Sequence, residues 1–197
     1  MTALLIVLAV VVIVAIAVAA WFFMQKRRTE QLRESFGPEY ERAVRQTGNR
    51  SEAERELAAR RERVEALRVR PLSAEQRASF AEAWRRTQAR FVDDPGGAVG
   101  EADELIGQVM QARGYPVGNF EQRAADISVD HPDVVTNYRA AHRIAQAQGA
   151  GRAGTEDLRQ AMVHYRALFE DLLEAPAGGD GRNGHRQSRD QRQEVRR

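Results

Sequence analysis

Hydrophobic positions follow three regimes along this chain. From Ala3 to Met24 they are continuous, without charge or proline. At about 1.5 Å of helical rise per residue, such a run covers roughly 30 Å, the thickness of a bilayer's hydrocarbon core. The pattern predicts a transmembrane helix over residues 3–24, with Trp21 at the interface and Lys26, Arg27 and Arg28 anchoring its end. Basic residues on the C-terminal side place the N-terminus outside and the rest in the cytoplasm, at the inner cell membrane. Ala17-Val18-Ala19 offers the alternative of a cleaved leader and a secreted domain released near Ala19.

The second regime, residues 25–70, is a charged helical stalk. Gly37-Pro38 breaks the helix leaving the membrane, and Pro38 suits a first helical position. Gly48-Asn49 reads as a turn, and Ser51 with Glu54 as a capping box opening a helix to about Val69. Its apolar stripe, Ala53, Leu57, Val64 and Leu67, is narrow and interrupted by Arg60, short of a strong coiled coil.

The third regime, residues 71–175, repeats apolar residues at three and four, with no alternation of strand type. Ser73 with Gln76 forms a second capping box before a helix carrying Phe80, Trp84, Thr87 and Phe91. Asp93-Asp94-Pro95-Gly96-Gly97 reads as a turn. A helix with Val99, Ala102, Leu105, Ile106, Val109 and Met110 follows and stops at Gly114. Asn119 caps a short helix with Phe120, Ala124 and Ile127, and Ser128–Pro132 reads as a break. Val134 or Val135, with Tyr138, Ala141 and Ala145, forms one more face. Thr155 caps a last helix bearing Leu158, Ala161, Met162, Tyr165, Leu168, Phe169 and Leu172. The fold class is all-α: a transmembrane helix, the stalk, and a bundle of about five helices. Residues 176–197, nearly free of apolar side chains, read as a disordered basic tail.

Charge refines this picture. The net charge is +2, but residues 26–70 carry 13 basic and 9 acidic groups, while 71–175 carry 11 and 16. The folded body is acidic, so no nucleic-acid partner is expected. Cysteine is absent, which excludes disulfides and thiolate chemistry. The single lysine, Lys26, leaves the domain none for a phosphate loop or a Schiff base. No G-x-S-x-G or H-E-x-x-H pattern occurs. No catalytic residue, metal or cofactor is assigned, and the chain reads as a non-enzyme. Ser128, Asp130 and His131 hold the letters of a catalytic triad, but sequence neighbours rarely aim at one another, so they read as a cap and turn. His142 and His164 carry the alternative of an enzyme of unrecognised type, using nearby carboxylates.

The strings Phe36-Gly37-Pro38-Glu39-Tyr40, Arg90-Phe91-Val92-Asp93, Arg113-Gly114-Tyr115-Pro116-Val117 and Ser128-Val129-Asp130-His131-Pro132 give the chain a resemblance. It resembles a family of uncharacterised single-pass membrane or "secreted" proteins of high-GC bacteria. The resemblance implies no activity and no catalytic residue. The expected function is a membrane-anchored interaction or scaffold module that meets lipid through its N-terminal helix and another protein at the membrane. The candidate interaction surface is Tyr115, Pro116 and Asn119 with Asp130 and His131, in proline-rigid connections of the kind that carry binding. A second copy could pair through Ala15 and Ala19 or through the stalk helix.

Overall fold

A computed structural model describes residues 2–174, with side chains from residue 12 onward. Among the described residues all regular structure is helical, as the periodicity predicts. The tail expected over 176–197 lies outside the described residues. Two compact units divide the chain, Met1–Ala58 and Ala59–Arg197.

In the first unit, α1 spans Thr2–Phe36. Gly37 ends it at φ +48°, a conformation that glycine adopts without strain. α2, Pro38–Thr47, starts with proline at its first position and stops at Gly48, whose left-handed backbone returns its N–H to the Val44 carbonyl. α3 spans Arg50–Glu65, so the division between the units falls inside it. Its cap is Asn49, not Ser51: Asn49 Oδ1 accepts the Ser51 and Glu52 N–H groups at 2.9 and 3.3 Å. Glu54, freed from a capping role, is buried and accepts from Thr29 Oγ1 and the Tyr40 hydroxyl, both at 2.9 Å. One carboxylate thus ties all three helices together.

Among the described residues, no helix is long and apolar enough to cross a membrane. The described apolar side chains of α1 begin at Val12 and meet Lys26 within about four turns. α1 is a long helix whose described N-terminal part is apolar.

The second unit opens with the end of α3, which stops at Glu65 rather than near Val69. Ala66 and Leu67 still donate back to the Glu62 and Val64 carbonyls, and the chain then leaves the helix. The Arg70 N–H and Nε donate to the Arg113 and Ala112 carbonyls at 2.9 and 3.2 Å, capping the end of α5. α4, Ala74–Arg90, begins with the reciprocal Ser73–Gln76 capping box. α5, Pro95–Arg113, absorbs the expected Pro-Gly-Gly turn as its first turn, because Asp94 Oδ1 accepts the Gly97 N–H at 2.9 Å. α6 is Phe120–Asp130, so Ser128 to Asp130 are helical and the break comes at His131. α7 is Val135–Gly149 and α8 is Thr155–Glu174. Thr155 is the first residue of α8 rather than its cap; the Gly154 N–H is taken by Asp157.

α8 organises this unit. All seven of its expected apolar positions are buried, and it packs on α5 and α7. Each fully buried aliphatic or aromatic side chain contributes about 1.5–3 kcal/mol. Trp84 of α4 stacks on Phe169 at 4.7 Å between ring centres. Phe80 and Phe91 are only half-buried. At the end of α3, Arg63 forks onto the fully buried Asp126 of α6 at 2.8 and 3.1 Å, and Arg60 donates to Ser128 Oγ.

Candidate functional site

The residues singled out in the two proline-bearing connections do come together, but largely as an internal joint. Gly114 turns the chain out of α5, and Tyr115 follows with 2 % exposure. Its hydroxyl donates to Asp130 Oδ2 at 2.6 Å, so the aromatic group expected at the surface is buried instead. Burial, then the neighbouring Asp130 carboxylate, pushes the phenol pKa far above its ordinary value. Asn119 accepts the Gln122 N–H at 2.9 Å and caps α6, as its position predicts. Pro116 is exposed.

His131, 6 % exposed, bonds through Nδ1 to Asp171 of α8. Its Nε2 is buried without a hydrogen-bond partner. Beside it, the fully buried Arg113 donates to the Leu172 carbonyl at 2.8 Å. Burial pulls the Arg113 pKa down, opposed by Tyr115, Asp130 and Asp171. The triad letters therefore diverge: Ser128 meets Arg60 and the Ala125 carbonyl, Asp130 meets Tyr115, and His131 meets Asp171.

A second polar cluster forms around Asp103. Its carboxylate accepts from the Tyr165 hydroxyl of α8 and from Arg123 Nη2 of α6, each at 3.2 Å. Gly107, one turn further along α5, makes room for that guanidinium; a Cβ there would lie 2.9 Å from Arg123 Nη1. Arg123 Nε is buried without a hydrogen-bond partner. Burial, then Asp103, raises the Tyr138 and Tyr165 pKa values.

His142 completes the cluster. Its ring stacks on Phe120 at 3.5 Å and 4°, and Nδ1 lies 4.0 Å from Asp103 Oδ1, too far for a hydrogen bond. Burial lowers the imidazole pKa, with Asp103 and Glu121 opposing and Arg123 reinforcing. A folded-state pKa below the unfolded 6.5 means that the unfolded chain binds the proton first. The contribution of His142 is therefore complete above that value and is lost as pH falls through the lower folded value. An NMR titration should place this imidazole below 6.5, and His142→Gln should flatten the loss of thermal stability on the acid side.

Asp103 belongs to no sequence motif. Its signal is its register with Val99, Ile106 and Met110 on the buried face of α5. His164 of α8 takes no part in the cluster, and among the described residues no group of His, Asp and Glu suits a metal ion.

Concave surface lies elsewhere. One open groove, about 380 Å³, is lined by Ala140, Ile144, Ala147 and Ala153 with Arg143 and Asp157. Another, about 170 Å³, lies between α4 and α8 at Phe91, Met162 and Val163. Neither includes His131, His142 or Asp103. No protein family, curated protein or solved structure matches the chain.

Proposed function

We propose that this chain is a single-pass, membrane-anchored protein-interaction module, crossing the bilayer with residues 3–24 and holding its helical body on the cytoplasmic side. One observation carries the anchor. From Val12 to Met24 the large apolar side chains are 48–70 % exposed at successive positions around α1, including Trp21, Phe22, Phe23 and Met24 in a row. A helix that is apolar on all sides and uncovered by protein calls for lipid. Arg27 then lies over the Phe23 ring at 4.5 Å, a cation–π contact suited to the interface. Four residues beyond Arg28 the helix changes character, with Leu32 and Phe36 buried.

The interaction role is supported by how polar groups are used. The carboxylates and imidazoles that could do chemistry brace helices, and they stand apart from the grooves. A helix anchor also raises the body's effective concentration near a membrane partner, supplying affinity without a large interface.

The full-length chain should remain in the membrane pellet after an alkaline wash, with a C-terminal reporter active in the cytoplasm. Fourteen Leu, Ile, Val and Phe residues in the run favour insertion by roughly 4–8 kcal/mol, and two central arginines oppose it by about 5–7 kcal/mol. Ile13→Arg with Ile16→Arg should therefore empty the pellet of correctly inserted protein. A soluble wild-type chain, a mature N-terminus at Ala20, or a reporter active only outside would overturn this reading.

A further inference from the structure

The groove between α4 and α8 has a one-sided charge pattern that specifies an occupant. Its floor is Phe91, Met162 and Val163, and Val163 is 49 % exposed. Val92, next to Phe91 in the chain, is 83 % exposed. The volume, about 170 Å³, admits a group the size of a benzene ring. Two guanidiniums, Arg159 and Arg166, stand on the α8 wall, and no carboxylate lines the groove. Seven residues separate them, which is two helical turns or about 10 Å.

Each arginine has a glutamate on its own helix. Arg159 donates to Glu156 at 2.7 and 2.8 Å, and Arg166 to Glu170 at 2.7 Å. Both glutamates lie beyond the arginines, toward the two ends of α8, so the cationic pair occupies the centre. Exposed pairs within one helix are weak and compete poorly with a carboxylate presented beside an apolar contact. The other groove lacks this bias, because Arg143 and Asp157 offset one another at its edge.

We infer that this groove docks an acidic amphipathic helix of a partner protein, one with carboxylates at positions i and i+7 and an aliphatic or aromatic residue at i+3 or i+4 between them. That spacing puts both carboxylates over the guanidiniums and the apolar side chain over Val163. The inference rests on the reading of the chain as an interaction module and names the chemistry of its partner.

The test uses the full chain in detergent micelles with a labelled helical peptide carrying Glu at i and i+7 and Leu at i+3 and i+4. A matched peptide with Lys in place of Glu is the control. The acidic peptide should bind and the lysine peptide should not, and affinity should fall several-fold as salt rises. Val163→Asp should weaken binding at least about tenfold. Arg159→Gln with Arg166→Gln should remove the preference for the acidic peptide, with the helical spectrum and melting temperature unchanged. Equal binding of both peptides, binding indifferent to Val163→Asp, or a self-association that Val163→Asp abolishes would overturn the inference. Crosslinking in intact membranes separates this from the broader reading. A partner captured equally by wild type and Val163→Asp would remove the groove and leave the interaction module standing.

Discussion

Asp103→Ala should cost this protein about 3 kcal/mol of stability and lower the melting transition of the second unit by about 10 °C. The carboxylate accepts from the buried Tyr165 hydroxyl and from Arg123, whose side chain is 14 % exposed. Truncation leaves both without that acceptor; a stranded buried hydroxyl alone costs about 1–3 kcal/mol. The neighbouring Glu104→Ala removes the same charge from an exposed position and should stay within about 0.5 kcal/mol of wild type. Tyr165→Phe in the Asp103→Ala background removes the stranded hydroxyl, so the double variant should be more stable than additivity allows. Additive costs would mean that Asp103 does not brace α8, and the cluster would then be a surface ion pair.

Helix ends were legible wherever one residue type alone satisfies the backbone. Gly37, Gly48 and Gly114 all adopt positive φ at the stops that their positions predict. Ser73 and Gln76 form the expected reciprocal bonds. The misreadings share a cause. Asn49 and Ser51 can both cap, and sequence spacing does not say which side chain reaches the free N–H groups. Asp94 converts Pro95-Gly96-Gly97 from a turn into a helix start by accepting one N–H. α3 ends early, and beyond it Arg70 bonds to α5, some forty residues away, which no local pattern encodes.

The candidate site was legible in residue type and not in direction. The two proline-bearing connections meet through Tyr115 and Asp130, but Tyr115, Asp130 and His131 turn toward the fold and toward Asp171. Pairing across such distances depends on how α5, α6 and α8 meet. The apolar leader needed no fold to be seen, since continuity of composition is enough. The α4–α8 groove was invisible, because Phe91 and Val163 are brought together only by tertiary packing.

Gly114→Ala should destabilise the second unit by about 3 kcal/mol, well beyond an ordinary glycine replacement. Two effects add. At φ +98° an L side chain is strained, at about 1–2 kcal/mol. The new Cβ would also lie 2.8 Å from the Arg68 carbonyl oxygen, a backbone atom that cannot swing aside as a side chain can. Overpacking of that kind costs about 1–3 kcal/mol. Gly151→Ala isolates the first effect, because Gly151 sits at φ +66° with open space around it, and should cost only about 1–2 kcal/mol. The difference between the variants measures how firmly residues 66–70 are held against the end of α5. Relief of the clash requires that strap to move, which stretches the Arg70 N–H bond to Arg113, 2.9 Å in the native structure. Amide exchange at Arg70 should therefore accelerate in Gly114→Ala and stay unchanged in Gly151→Ala. Equal costs with no change at Arg70 would show that the strap yields freely.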